Sequence, residues 1–424
     1  MKQTWRIGVA GLGVVGGALI TALAERPDFA PAGGAATVTG VSARRRTAER
    51  ASGVEWFDDP VALARSSSID IFVELIGGAE GPARDAVEAA LIAGKPVVTA
   101  NKALIARHGA ELAALAEDRG VPLLFEAAVM GGTPAVKMLR EAIVGDEVEL
   151  VAGILNGTCN FILSEMERSQ RPFAEVLGEA QALGFAEADP TTDVGGFDAG
   201  HKITILAALA FGCAPTLSAA RIAGIDTIEL LDIQLAKALG YRIKLIASAS
   251  RRGAGVSVDV RPALTPLGHP LAETGGALNA LFIESRRIGR IFVQGPGAGG
   301  GPTAAAVAAD IADVMTNAVR PVFQKPAREL RTCAAASDDA AIRAYVRLLV
   351  RDEPGVIARV TEVLAEHDVS IDSFLQRPVD GVGGVPIVMT THPASERALD
   401  GAVERMAALS ALMAPVQVIQ IARI

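Results

Sequence analysis

Short apolar runs and longer amphipathic stretches alternate through the first third of the chain. Residues 5–10 form an apolar run of strand length, and a helical pattern follows from the glycines after it to about residue 25. Residues 37–42, 69–75, 96–99 and 121–125 read as further buried strands, with amphipathic helices over 82–93 and about 101–119. Alternation of this kind with short turns predicts a doubly wound parallel α/β sheet. Ligands of such sheets collect at the carboxyl ends of the strands. Residues 11–16, Gly77-Gly78, Asn101-Lys102 and Glu126 all fall at such ends.

Beyond Pro134 the pattern changes. A helix is expected over about 134–143, strands over 148–155, 255–262, 280–285 and 290–295, and helices over 161–168, 173–183, 199–211 and 228–239. This reads as an α+β substrate domain. Residues 324–339 are polar and Ala-rich and read as a linker. After it come strands over 344–350, 369–376, 385–391 and 416–421, with helices ending near 366 and spanning 395–408. Their order, βαββαβ, is that of a ferredoxin-like unit.

The 424 residues are half hydrophobic and 21% charged, so disorder over most of the length is excluded. A net charge of −8, no basic block and few aromatic residues argue against nucleic acid as a partner. Residues 7–24 follow Lys2 and Arg6 and match a signal or membrane segment in length. Five glycines interrupt them and no A-x-A site follows, so a nucleotide loop is the better reading. No membrane partner and a cytoplasmic location are expected. Cys159, Cys213 and Cys333 are widely spaced, which predicts no disulfide framework and a reducing compartment.

Gly11-Leu12-Gly13-Val14-Val15-Gly16 is a G-x-G-x-x-G between a strand and a helix. Gly11 permits the turn, Gly13 the approach of a pyrophosphate, and Gly16 close packing of helix on strand. A Rossmann-type dinucleotide site is therefore expected, with the helix N–H groups facing the phosphates. Where an NAD site has an acidic residue, the second strand runs into Ala43-Arg44-Arg45-Arg46. Arg44 and Arg45 suit a 2′-phosphate, which favours NADP, with NAD as the alternative. Lys102 opens a helix, a poor electrostatic place for a cation, and is a candidate for chemistry. Between Gly184 and Lys202 stand Glu187, Asp189, Asp193 and Asp198. Asp198 and Lys202 share a helix face at i and i+4 and can pair at the head of an apolar helix. Such a lysine can be tuned for proton transfer. His201 points to another face and reads as structural, and the five histidines show no metal-ligand spacing.

These residues resemble the homoserine dehydrogenase family. The similarity runs through 11–16, Val-Thr-Ala-Asn-Lys (98–102), Glu-Ala-Ala-Val-Met-Gly-Gly-Thr-Pro (126–134), Gly-Ile-Leu-Asn-Gly-Thr-Cys-Asn (153–160) and the signature ending at Lys202. The resemblance implies NAD(P)-linked interconversion of L-homoserine and L-aspartate 4-semialdehyde. It implies Lys202 as proton donor or base, with Lys102 and Asp198 also catalytic. Glu187, Asp193 and Thr158 would bind substrate. Gly11, Gly13, Val14, Val15, Gly16, Arg44, Arg45, Lys102 and Gly301 would bind the cofactor. A monovalent cation such as sodium would sit at Glu126, Val129, Gly131 and Thr133, mostly on backbone. Thr133 departs from a frequently aliphatic position, and Cys159 from a frequent Thr or Ser. The run 295–303 resembles the return of the chain to the nucleotide domain.

Asp352-Glu353-Pro354-Gly355-Val356 after a strand resembles the start of an ACT domain, which implies feedback by L-threonine. The domains expected are 1–130 with about 298–322 for the nucleotide, 131–297 for catalysis, a linker over 323–340 and an ACT unit over 341–424. A homodimer or homotetramer is implied. Two other readings compete. An aspartate-semialdehyde dehydrogenase needs a thiolate and a base, for which only Cys159 is placed. A catalytically inactive amino-acid-sensing protein leaves the charged cluster unexplained.

Overall fold

The computed structural model describes residues 4–29, 34–46, 53–253, 255–316, 319–332, 341–376 and 383–424. Its first part comprises β1 (Thr4–Ala10), α1 (Val14–Glu25), β2 (Ala35–Ser42), β3 (Glu55–Phe57), α2 (Pro60–Arg65), β4 (Ile71–Glu74), α3 (Pro82–Ile92), β5 (Val97–Thr99), α4 (Lys102–Arg119) and β6 (Leu123–Leu124). The strands form one parallel sheet in the order β3-β2-β1-β4-β5-β6, the Rossmann order with its switch point between β1 and β4. Every residue of β4 is buried, as expected of a strand covered on both faces. The apolar pattern missed β3 and α2, which are too short to show a period. The helix start was nevertheless written in the chain: Asp59 accepts from Val61 N at 2.9 Å, and Pro60 opens the helix.

The middle part comprises β7 (Val148–Ile154), α5 (Gly157–Ser169), α6 (Phe173–Ala182), α7 (Phe197–Phe211), α8 (Leu230–Ala238), β8 (Tyr241–Arg252), β9 (Gly255–Pro266), β10 (Leu278–Ser285) and β11 (Gly289–Pro296). Beyond its first two turns helix α7 is apolar, and nearly all of it is buried in the core. Ahead of β7, the expected helix contains a π-helical turn, Met138–Ala142. The sequence reading lacked β8, although it is a central strand. Its alternation is masked by Arg242 and Lys244, which sit where an apolar residue would mark the face. Lys244 is buried, its Nζ donating to Asn160 Oδ1 (2.9 Å) and Thr274 O (2.6 Å), and desolvation pushes its pKa down to about 8.

The chain then returns through α9 (Gly300–Met315), which packs Val307 and Ile311 against Leu19 and Leu23 of α1. The last part comprises β12 (Ala344–Val350), α10 (Val356–Glu366), β13 (Ile371–Gln376), β14 (Val385–Thr391), α11 (Glu396–Ala407) and β15 (Gln417–Ile421). Its strand order, β15-β12-β14-β13, is ferredoxin-like. Strand β15 also pairs in parallel with β9, at Ala263↔Gln420 and Leu264↔Ile421. The middle and last parts therefore share one ten-stranded sheet, ordered β11-β10-β7-β8-β9-β15-β12-β14-β13, with residues 220–222 beside β9.

A buried ion pair reinforces this joint. Arg347 of β12 donates from Nε to Asp232 Oδ1 of α8 at 2.6 Å, and Tyr345 Oη donates to the same oxygen at 3.1 Å. The stretch read as a linker starts docked: Phe323 is fully buried with its ring 5.5 Å from that of Phe125, and residues 331–332 pair with 213–214. Residues 333–340, with Cys333, lie outside the described residues. Cys213 is disulfide-bonded, which corrects the expectation of no disulfide, whereas Cys159 is a free, buried thiol. No helix among the described residues is long and apolar enough to cross a membrane.

Candidate active site

The glycine loop after β1 is built by close packing on one side and open space on the other. A methyl added at Gly11 would lie 2.4 Å from Leu75 O, and one at Gly16 would lie 2.1 Å from Gly11 O. Nothing stands within 4 Å of such a methyl at Gly13 or Gly301. Helices α1 and α9 both start at glycine caps that offer no side-chain acceptor to their first N–H groups. These two starts adjoin, since a methyl on Gly300 would lie 3.0 Å from Val14 Cγ1. Val14 itself is exposed. Two uncapped helix N-termini meeting at one cleft suit a diphosphate. Arg44 and Arg45 are exposed just past β2, and Arg46 covers the Trp56 ring at 5.7 Å. Gly16→Ala is expected to weaken binding of the reduced dinucleotide, NADH or NADPH, about tenfold or more in a fluorescence titration. An unchanged affinity would remove the loop from the site.

At the ends of β4 and β5 a buried relay sets the next loop. Glu74 accepts from the amides of Ile76 (2.7 Å) and Gly77 (2.9 Å) and from Thr99 Oγ1 (2.5 Å). Thr99 in turn accepts from Asn101 N, and Asn101 caps α4 through Leu104 N. Lys102 is thereby aimed from the first turn of α4 towards α7.

There the lysines meet. Asp198 Oδ1 pairs with Lys102 Nζ at 2.9 Å, and Asp198 Oδ2 pairs with Lys202 Nζ at 2.7 Å. Lys202 also donates to Leu155 O at 2.7 Å. Burial would raise the pKa of Asp198, but the charges of Lys202 and Lys102 outweigh it and hold the carboxyl well below its usual range. The lysines diverge. The Lys102 side chain is 39% exposed, and the charge of Asp198 outweighs desolvation and raises its pKa. Lys202 is 10% exposed; loss of water and the nearby charge of Lys102 lower it despite Asp198.

The other expected residues divide. Asp193, in the short helical turn Thr191–Val194, is raised by burial and accepts from Asn156 Nδ2 at 2.8 Å and Thr158 Oγ1 at 3.4 Å. Thr158 also donates to Phe185 O at 2.8 Å. Glu187 is exposed on the preceding loop, and among the described residues its carboxylate has no hydrogen-bond or ion-pair partner. His201 is half-buried, with its pKa lowered first by desolvation. Cys159 is raised well above the usual thiol range by burial, and its Sγ donates to Asp193 O at 3.2 Å. A thiol buried in this way is a poor nucleophile, which counts against the chemistry of the semialdehyde dehydrogenase rival.

The carboxylate of Glu126, a member of the expected cation set, faces main-chain amides. Its oxygens accept from the amides of Ala135 (2.7 Å), Val136 (3.2 Å) and Lys137 (2.6 Å), so they orient backbone. Beside it, Gly131 adopts φ +54° against Gly297, and Thr133 Oγ1 reaches Pro296 O at 3.4 Å. Sequence reasoning missed Asn156 and Asn279. Asn156 Nδ2 also donates to Asp198 Oδ2 at 2.9 Å, and Asn279 Nδ2 to Leu155 O at 3.0 Å. Only the short polar side chain before a helix start signalled the first; nothing local signalled the second.

A Rossmann sheet with two open helix starts, and a lysine–carboxylate cluster beyond the carboxyl end of β5, define a dinucleotide-linked oxidoreductase with a ferredoxin-like appendage. Residues 11–126 match the family profile "Homoserine dehydrogenase, NAD binding domain", 134–312 match "Homoserine dehydrogenase" and 344–411 match "ACT domain". The chain is 38% identical to a homoserine dehydrogenase of Neisseria gonorrhoeae, covering 98% of each, and 39% identical to one of Pseudomonas aeruginosa, covering 97% of each. The crystal structure of a homoserine dehydrogenase from Thiobacillus denitrificans superposes with a TM-score of 0.92 at 38% identity, over 99% of both chains. A hyperthermophilic archaeal homoserine dehydrogenase in complex with NADPH matches at 0.65 and 27% identity, over 75% of this chain and 99% of that one. The chain belongs to the homoserine dehydrogenase family.

Proposed function

We propose that this chain interconverts L-homoserine and L-aspartate 4-semialdehyde with NADP as its preferred carrier, and that Lys202 exchanges the proton at the substrate oxygen. The observation that carries the reading is Asp198 holding one lysine on each oxygen. A bound nicotinamide supplies hydride exchange at the substrate carbon. An ammonium has three hydrogens. Lys202 spends two on Leu155 O and Asp198, leaving one direction for substrate. As a neutral amine it keeps both bonds and turns its lone pair to the hydroxyl. Lys102 remains charged and stabilises the developing alkoxide. Glu187, with an uncommitted carboxylate, holds the substrate ammonium, and Asp193 and Thr158 line the pocket.

Gly11, Gly13, Val14, Val15, Gly16 and Gly301 hold the diphosphate, and Arg44 and Arg45 hold the 2′-phosphate. The NADPH complex of the archaeal relative supports this choice. A monovalent cation sits at Glu126, Val129, Gly131 and Thr133, mostly on main-chain carbonyls, with the Glu126 carboxylate also orienting the loop over 135–137. The packing of α9 on α1 supports counting about 298–322 with 1–130, beside 131–297 and 341–424. The ACT unit takes L-threonine, and the chain works as a homodimer or homotetramer.

The test is initial rate with L-homoserine and NADP, then NAD, each with and without L-threonine. NADP-linked activity suppressed by threonine is expected. Equal rates with NAD would sink the arginine argument, and threonine indifference would sink the effector. No activity with threonine binding retained would favour the sensing protein. Arg44→Ser with Arg45→Ser should raise KM for NADP about tenfold or more and leave KM for NAD unchanged.

A further inference from the structure

We propose that Asn156 is a positioning residue for this reaction: its amide clasps the Asp193 and Asp198 carboxylates together and fixes the oxygen on which Lys202 leans. The inference rests on the proposed role of Lys202. Asn156 occupies the N-cap of α5, where its Oδ1 accepts from Cys159 N at 2.8 Å. That bond settles which end of the amide faces inward. Both Nδ2 hydrogens then go to carboxylates, one to Asp193 Oδ1 at 2.8 Å and one to Asp198 Oδ2 at 2.9 Å. Asp198 Oδ2 is the same oxygen that receives Lys202. The side chain is 4% exposed, so water does not compete for these bonds.

As a helix cap alone, Asp or Ser would serve here as well as Asn. Asp would bring a third carboxylate against two that already repel. Ser is too short to reach both. Only Asn is at once an acceptor for the helix and a two-pronged donor to the acids. The preceding residue completes the arrangement, because Leu155 O anchors Lys202 and is itself pinned by Asn279. Residues 155–156 thus supply the carbonyl for Lys202 and the clasp for its counter-ion.

The charged and titratable groups around the clasp are Asp193 from the turn 191–194, Asp198 and Lys202 from α7, Lys102 from α4, and the Cys159 thiol from α5, with His201 half-buried beyond them. Burial and the charge of Asp198 push Asp193 upward; the Asn156 bond pulls it down. Without the clasp Asp193 protonates more readily, and Asp198 Oδ2 is free to turn from Lys202.

Two variants that keep the cap test this. For Asn156→Ser, kcat/KM for homoserine oxidation should fall about ten- to a hundredfold near neutral pH. The acidic limb of its pH profile should move upward, with little change in melting temperature. For Asn156→Asp, the loss should be greatest at alkaline pH and should shrink as pH falls, because a proton on the new carboxyl restores one donor. Profiles parallel to the wild type in both variants, whatever the rate, would overturn the inference, as would losses that simply follow lower melting temperatures. If the wild type does not oxidise homoserine, or Lys202→Ala remains active, the functional reading fails first and the clasp with it. If both controls behave and the profiles do not move, the clasp alone fails.

Discussion

Replacing Lys202 by alanine is expected to lower kcat for homoserine oxidation about 10²–10⁴-fold, the range of a lost general base. The substitution removes the amine proposed to exchange the proton, and it leaves Asp198 with Lys102 as its remaining ion-pair partner. Lys102 is the poorer candidate for the base, because Asp198 raises its pKa. Desolvation lowers that of Lys202, so wild-type oxidation should rise with pH through an apparent pKa below the usual lysine value. Reduction needs the ammonium and should fall through the same range. Turnover by Lys202→Ala near the wild-type rate, or an oxidation profile flat from neutral to alkaline pH, would dismiss Lys202 as the base.

The second large effect is on stability. Arg347→Leu should cost about 3–5 kcal/mol in urea unfolding, the usual penalty for stranding one partner of a buried ion pair. Asp232 is fully buried and the Arg347 side chain is 4% exposed, so solvent does not replace the lost charge. Tyr345 Oη alone would remain on Asp232 Oδ1. Arg347→Leu with Asp232→Leu should recover much of the loss, since a desolvated pair replaced by apolar side chains is near neutral. The effect should also reach the response to effector. Helix α8 holds α5 through Gln234 Nε2 to Gln170 Oε1 at 2.7 Å and Lys237 to Glu167 at 3.3 Å. The other end of α5 carries Asn156 and Thr158. Any threonine inhibition should therefore weaken in Arg347→Leu before basal turnover does. A single variant as stable as the wild type would mean that the joint rests on strand pairing alone.

The sequence made local chemistry legible. Asp198 and Lys202 share a helix face because four residues make about one turn. The glycine loop is legible because each glycine answers a steric demand of its own position. Lys102 could be suspected from its place at a helix start, but not its partner, because Asp198 reaches it only after α4 and α7 pack. Asn156 escaped notice because a cap-forming residue looks the same whether its other end is idle or bound. Strand β8 was hidden by a buried lysine that tertiary partners satisfy. The parallel pairing of β15 with β9 involves two residues of each strand and no turn, so no pattern in either strand announces it. Glu126 was placed in the right loop, but which donors satisfy its carboxylate depended on the fold of 135–137.

The return of α9 to α1 has a consequence for how the chain is made. Leu19 and Leu23 emerge early in synthesis, but the helix that covers them is not available until the whole catalytic part has left the ribosome. Until that helix is made, the flank of α1 that carries Leu19 and Leu23 has no cover of its own. The phosphate loop faces only one helix start during that interval. Dinucleotide added during translation should thus rescue full-length chains and leave fragments that end before α9 unprotected.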